Sequence, residues 1–277
     1  MTKFCNSLLM TSATAFLIDQ SYSMDDPFGG DESGAKKNAV ADVINKLLQN
    51  FVIKCAKDEG IRDYYHIGVI GYGGDVGSAF SGELAGQEFV PISQIAENPA
   101  RIEERTKKVS DGAGGLVEQT VKFPIWFDAI TSGGTPMCKA MRHAHQILST
   151  WFNDHPDCFP PIMINITDGE STDGDPSSIA QDITNLKSSD GEVLLFNVHL
   201  SSLEGTAIQF PDSEANLPDQ YAKLLFQMSS VLPSSIKETA SQADFRVSAG
   251  SRGFVFNADM VALINFLDIG TRPSNLR

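Results

Sequence analysis

Residues 16–24 read FLIDQSYSM. An apolar run stops at Asp19, and Ser21 and Ser23 follow at alternate positions, three short oxygen-bearing side chains pointing the same way. Extended backwards, the run is ATAFLID (13–19), flanked by polar residues, which is the pattern of a strand buried on both faces. The pattern returns at YYHIGVIGY (64–72), at IMINITD (162–168), which again ends on an aspartate, and at EVLLFNVHL (192–200). Helical stretches lie between. Val40, Val43, Ile44, Leu47, Leu48, Phe51 and Val52 recur at three- and four-residue spacing within 35–57. Residues 135–152, 176–188, 221–230 and 258–270 read as further helices, with Pro136 in a first turn, where its missing N–H costs nothing. FRVSAGSRGFVFNA (245–258) supplies a last strand. Such alternation implies parallel strands joined by crossover helices that cover both faces of the sheet. The expected fold is a doubly wound, mostly parallel α/β sheet, one domain over residues 1–277, with one antiparallel edge strand.

The stretch from 73 to 128 is rich in Gly, Ser and charge. QEFVPI (87–92) reads as an edge strand carrying a proline, and NPARIEER (98–105) as the start of a short helix. VSDGAGGLVEQTVKF (109–123) reads as a hairpin around its glycines, within an insertion at about 106–128.

The chain has 277 residues, 42% hydrophobic and 20% charged, with a formal net charge of −14. An acidic surface repels phosphate backbones and anionic headgroups, so neither nucleic acid nor a membrane is an expected partner. It suits divalent cations or a basic protein. No stretch reaches the roughly 18 continuous apolar residues of a membrane span. Cys5, Cys55, Cys138 and Cys158 show no paired spacing, as expected of free thiols in a reducing compartment. The N-terminal MTKFCNSLLMTSATAFLID contains Asn6, Ser7, Thr11, Ser12 and Thr14 and lacks a dense leucine-type core. Cleavage near Ala13 or Ala15 would remove most of the first strand, so the expected location is cytoplasmic.

In an open parallel sheet, ligands bind outside the carboxyl ends of the strands, where neighbouring connections diverge. Loops on that rim carry oxygen ligands: DQSYS (19–23), TSGGTPM (131–137), in which Thr135 precedes a helix, and ITDGE (166–170), in which Asp168 ends a strand. Singly, each is ordinary cap or turn chemistry. Together, Asp19, Ser21, Ser23, Thr135 and Asp168 offer hard oxygens and neither nitrogen nor sulfur. That donor set selects Mg²⁺, Mn²⁺ or Ca²⁺ over zinc or copper.

FLIDQSYSM, SGGTPM and INITDGE, in this order, resemble the metal-ion-dependent adhesion site of von Willebrand factor A-type domains. The resemblance extends over nearly the whole chain, because the order of strands and helices also fits. It implies direct coordination of Mg²⁺ by Ser21 and Ser23, with Thr135 joining in the ligand-bound form. It implies that Asp19 and Asp168 act through water or hydrogen bonds. A cation held by neutral oxygens stays electrophilic, and in this family its further ligand is usually an Asp or Glu of another protein. Tyr22 stands where a glycine is frequent, and the 106–128 insertion departs from the plainest members. The resemblance is to stand-alone bacterial members that work inside the cell, docked on a AAA+ ATPase or beside a kinase and phosphatase in stress response or defence. The expected protein is a monomer on its own and not an enzyme. Alternatives are a metal-dependent hydrolase or phosphatase using the same residues, and a secreted adhesin.

Competing motifs are weaker. GYGGDVG (71–77) has the spacing GxGxxxG with no clear helix after it, and reads as a tight turn. His143 and His145 are two apart on a helix and do not share a face. His66 and His199 lie in apolar strands and read as core residues, His155 as a loop residue. Trp126 and Trp151 read as packing. STDGDP (171–176) reads as a cap for the following helix. No GxSxG elbow, P-loop or HExxH is present.

Overall fold

The computed structural model describes residues 11–28, 31–110, 115–200 and 206–271. In chain order the elements are β1 (Ser12–Asp19), β2 (Pro27–Phe28), β3 (Asp31–Ala35), α1 (Lys36–Cys55), β4 (Ala56–Lys57), β5 (Gly60–Ile61), β6 (Tyr65–Tyr72), β7 (Val76–Ser78) and β8 (Val90–Pro91). They continue with α2 (Ile92–Glu97), β9 (Arg101–Ser110), β10 (Leu116–Ile125), α3 (Met137–Asp154), β11 (Ile162–Thr167), α4 (Ser177–Asn185) and β12 (Leu194–Leu200). The last are β13 (Ile208–Gln209), α5 (Gln220–Met228), α6 (Ser234–Gln242), β14 (Phe254–Ala258) and α7 (Met260–Gly270).

The main sheet runs β13-β14-β12-β11-β1-β6-β7, with β8 also paired to β6. β6, β1, β11, β12 and β14 are mutually parallel. From β1 the chain passes to β6 on one side, then returns to β11 on the other. This is the 2-1-3-4-5 order of a doubly wound sheet, whose switch point lies between β1 and β11. Successive side chains of β1 serve opposite layers. Phe16 and Ile18 enter a core with α1, α6 and α7, whereas Ala13, Ala15 and Leu17 enter one with α3, α4 and α5. That double burial is why Ala15, Phe16, Leu17 and Ile18 are apolar in succession and not at alternate positions.

The sequence reading needs correction at several points. Both margins of the sheet are antiparallel: β7 and β8 pair antiparallel with β6, and β13 with β14. Residues 98–105 start no helix; the helix there is α2, and Arg101 opens the ten-residue strand β9, paired with β10. The charges explain it. Arg101 and Arg105 both donate to Glu103, two residues from each, and residues two apart share a face in a strand and not in a helix. The glycine turn of this hairpin, 111–114, lies outside the described residues, as does Cys5. Residues 245–253 are irregular, and only Phe254–Ala258 is strand. Helix α6 escaped the sequence reading because it buries only Ile236 and Ala240. Pro136 precedes α3 and is not inside its first turn. Among the described residues no helix is long and apolar enough to cross a membrane.

Candidate functional site

Asp19 ends β1 at the switch point and is buried. Its Oδ1 accepts a hydrogen bond from the Ser21 N–H at 2.8 Å, and its Oδ2 accepts one from Thr167 Oγ1 at 2.7 Å. Burial pushes this carboxyl up to about 6, against the hydrogen bonds from Ser21 and Thr167 that favour its ionised form. Ser21 Oγ lies 3.0 Å from Ser23 Oγ, and Ser23 Oγ donates to Asp168 Oδ1 at 2.8 Å. The other oxygen of Asp168 accepts a hydrogen bond from Lys36 Nζ at 2.7 Å. Four of the five expected residues thus form one hydrogen-bonded chain.

Thr135 faces the same point from the second loop. A Cβ placed on Gly169 would stand 3.7 Å from Thr135 Oγ1 and 4.0 Å from Ser23 Oγ. Thr135 is held by a two-way exchange with Thr172: its N–H donates to the Thr172 hydroxyl Oγ1 at 3.1 Å, and the Thr172 N–H donates to its carbonyl at 2.9 Å. Tyr22 is 68% exposed, placing an aromatic ring on the solvent side of the cluster. Among the described residues no group of three or more His, Cys, Asp or Glu converges on one point. The cluster brings two carboxylates, and its other oxygens are hydroxyls.

The loops are stitched together by backbone. The Gln20 N–H donates to the Tyr72 carbonyl at 2.7 Å, and the Gln20 carbonyl accepts from the Ser132 N–H at 2.6 Å. The Tyr22 N–H donates to the Gly133 carbonyl at 3.2 Å. GYGGDVG is the tight turn the sequence suggests, between β6 and β7, and it also spaces these loops. A Cβ on Gly73 would come within 2.4 Å of the Ser132 carbonyl and 2.7 Å of the Gln20 carbonyl. Gly133, with φ of +67°, lies against Gly74.

Lys36, Thr167 and Gly73 were missed by sequence reasoning. Thr167 had a weak signal, its place before Asp168; Lys36 had none. STDGDP divides its work. Asp175 Oδ1 accepts from the Ser177 N–H at the start of α4, as expected, but Asp173 caps α3 instead, accepting from the N–H groups of Cys138 and Lys139.

His66, His155, His199 and both tryptophans pack, while His143 lies against the Glu88 carboxylate at 2.9 Å. His155 stacks on Trp151, with ring centroids 4.2 Å apart, and His66 lies edge-on to Trp151. Trp126 Nε1 donates to the Ile95 carbonyl. His199 stacks on Phe256 and accepts from the Asn257 N–H through Nδ1. Burial pushes the His199 imidazole down to about 4, although Asp219 and Asp168 favour its charged form and Lys36 opposes it. An unfolded histidine titrates near 6.5, so the folded form binds fewer protons between these values. The stability His199 contributes is therefore complete above about pH 6.5 and lost as pH falls towards 4, by up to about 3 kcal/mol. Melting curves over that range should show the loss, and His199→Gln should flatten it; an unchanged pH slope in the variant would assign the effect elsewhere.

No family model and no curated protein matches the sequence. Several solved structures are similar in shape. A von Willebrand factor type A protein from Catenulispora acidiphila shares 17% identity over 69% of this chain and 33% of its own, with a TM-score of 0.41. The manganese-loaded TRAP protein of Plasmodium vivax shares 11% identity over 94% of this chain and 72% of its own, with a TM-score of 0.44. The vWF domain of the type V pili tip protein Mfa5 from Porphyromonas gingivalis shares 14% identity over 58% and 39%, with a TM-score of 0.33. This chain spans about a third of the length of the first of these. At these identities and scores, a functional reading has to stand on the chain's own topology and side chains: a mostly parallel, doubly wound α/β sheet with an oxygen cluster at its switch point.

Proposed function

We propose that the chain is a von Willebrand factor A-type interaction module whose rim cluster holds a divalent cation and, through it, a carboxylate of a protein partner. The observation that carries this reading is the Ser21–Ser23 pair. Their oxygens stand 3.0 Å apart at the switch point of the sheet, backed by two carboxylates. Neighbouring oxygens around an octahedral ion at 2.0–2.1 Å are themselves about 3 Å apart, so the pair suits Mg²⁺ or Mn²⁺. Ser21, Ser23 and Thr135 would hold the ion directly, with Asp19 and Asp168 behind them. When bound, the ion supplies an electrophilic position open to an anionic oxygen. The chain's own residues prepare that position. Asp19 fixes the first loop through the Ser21 N–H, Thr167 fixes Asp19, and Asp168 accepts the Ser23 O–H hydrogen bond, so that the Ser23 lone pairs are left for the ion.

The chain is proposed as a binding module and not an enzyme. Both carboxylates of the cluster are engaged by hydrogen-bond donors, Asp19 by Ser21 and Thr167 and Asp168 by Ser23 and Lys36. An intracellular setting, in a complex with a AAA+ ATPase or beside a kinase and phosphatase, is proposed with it; the buried free thiols of Cys55, Cys138 and Cys158 support a reducing compartment. The hairpin of β9 and β10 is not a free arm. Arg105 pairs with Asp42 on α1 at 2.9 Å and lies over the Phe123 ring.

Calorimetric titration with Mg²⁺ and Mn²⁺ tests the reading. Weak saturable binding of one ion, tightened by added partner, is expected; no heat with either ion in the folded protein would end it. Thr135→Ala should lower partner affinity in Mg²⁺ by about tenfold or more while changing binding of the ion alone less. Equal losses in both would make Thr135 a ligand in every state.

A further inference from the structure

Lys36 stands where helix electrostatics disfavours a cation. It is the first residue of α1, at the positive end of the helix dipole. It is also only 3% exposed, and a lysine is almost never buried unless paired. Its partners belong to the cluster. Nζ donates to Asp168 Oδ2 at 2.7 Å and to the Ser23 carbonyl at 3.3 Å, and the Asp168 side chain is 1% exposed. On the solvent side, Asp26 Oδ2 lies 3.9 Å from Nζ, on a side chain 60% exposed. The ammonium therefore sits between a buried carboxylate of the cluster and an exposed one outside it. Lys37, the next residue, pairs instead with Asp25. In the charge balance, Asp19 and Asp168 bring two negative charges and Lys36 cancels one.

We infer that Lys36 is a built-in competitor for the divalent ion, holding Asp168 and lowering the cluster's affinity for metal until a partner's carboxylate restores the missing negative charge. The inference rests on the metal-binding reading above. Two cations sharing one carboxylate in a partly buried site repel each other strongly, because the effective dielectric there is far below that of water. A partner's carboxylate relieves that repulsion, so metal and partner bind cooperatively, each raising affinity for the other by the same factor. Asp26 gives the ammonium a counter-ion that is not part of the cluster.

Mn²⁺ titration of the full chain, with the free ion read by electron paramagnetic resonance, tests this. Lys36→Met keeps the length of the stem and removes the charge, and Lys36→Arg keeps the charge. Lys36→Met is expected to bind Mn²⁺ about tenfold or more tightly than wild type, and Lys36→Arg to stay within about threefold of it. Because Lys36→Met leaves Asp168 buried without its counter-ion, its melting temperature in chelator should fall, and added Mn²⁺ should raise it more than in wild type. Folding only in the presence of Mn²⁺ would be the same result in stronger form. Equal or weaker Mn²⁺ binding by folded Lys36→Met, beside measurable binding by wild type, would overturn the role of Lys36 and leave the metal reading standing. Failure of Lys36→Met to fold even with Mn²⁺ would show Lys36 to be a structural residue and overturn the proposal too. Absence of Mn²⁺ binding in every folded protein would overturn both readings.

Discussion

Asp19→Ala is expected to abolish Mg²⁺-dependent capture of the partner while the fold survives. Its carboxylate is the junction of the cluster: one oxygen orders the first loop through the Ser21 N–H, the other takes the Thr167 hydroxyl across the switch point. Loss of such an orienting group costs metal affinity roughly 10- to 100-fold. An ion held that weakly no longer bridges two proteins. The substitution also leaves the Ser21 N–H and Thr167 hydroxyl without this acceptor, a destabilisation of about 1–3 kcal/mol. A pull-down with tagged wild type and Asp19→Ala, in Mg²⁺ and in EDTA, checks it. A partner retained only by wild type in Mg²⁺ is the expected pattern. If Asp19→Ala still captured it in excess chelator, the metal bridge would be wrong.

Asn165→Ala should lower unfolding free energy by about 3–5 kcal/mol. Asn165 is fully buried in the middle of β11 and anchors a polar ladder across the layers. Tyr72 Oη donates to Asn165 Oδ1 at 2.7 Å, and Asn165 Nδ2 donates to Asn197 Oδ1 at 3.0 Å. Asn197 Nδ2 then donates to Ser229 Oγ at 3.0 Å, and Ser229 Oγ to the Leu225 carbonyl at 2.7 Å. Truncation leaves the Tyr72 hydroxyl only the Ile166 carbonyl at 3.4 Å, and takes from the buried Asn197 carbonyl oxygen the donor it has in Asn165. Tyr72 also lies opposite Asp19 in the strand register, so the ladder supports the floor of the site. Urea unfolding should show the midpoint shift at unchanged slope. A loss below about 1 kcal/mol would mean that the neighbours re-pair.

The two predictions differ in how far the sequence foretold them. Asp19 was legible because it interrupts an apolar run, and a charged residue at the end of a buried strand needs a reason. Asn165 was not, because IMINITD reads as an apolar strand and nothing local shows that its asparagine meets Tyr72 and Asn197. The same division runs through the fold. β1, β6, β11 and β12 were legible because strands buried on both faces are continuous apolar runs, and α1 because its stripe follows the helical period. β9 was misread because its charges alternate in a way that composition does not distinguish from a helix start. Only the Arg101–Glu103–Arg105 comb, seen on one face, settles it.

By itself, the sequence determined the α/β alternation, the strand ends and the five oxygen-bearing residues, four of them at or just after strand ends and Thr135 before a helix, because each depends on neighbours a few positions away. The tertiary structure decided how those residues are wired. Thr167 meets Asp19 across 148 positions, and Lys36 meets Asp168 across 132. Gly73 fits between the Gln20 and Ser132 carbonyls because a side chain would collide there. Such contacts carry no periodicity or local spacing, since they exist only once the chain has crossed from β6 to β11 and brought the ends of β1 and β11 side by side. The physical cause is that a buried charge accepts whichever donor the closed sheet delivers, and the sheet closes on its hydrophobic faces.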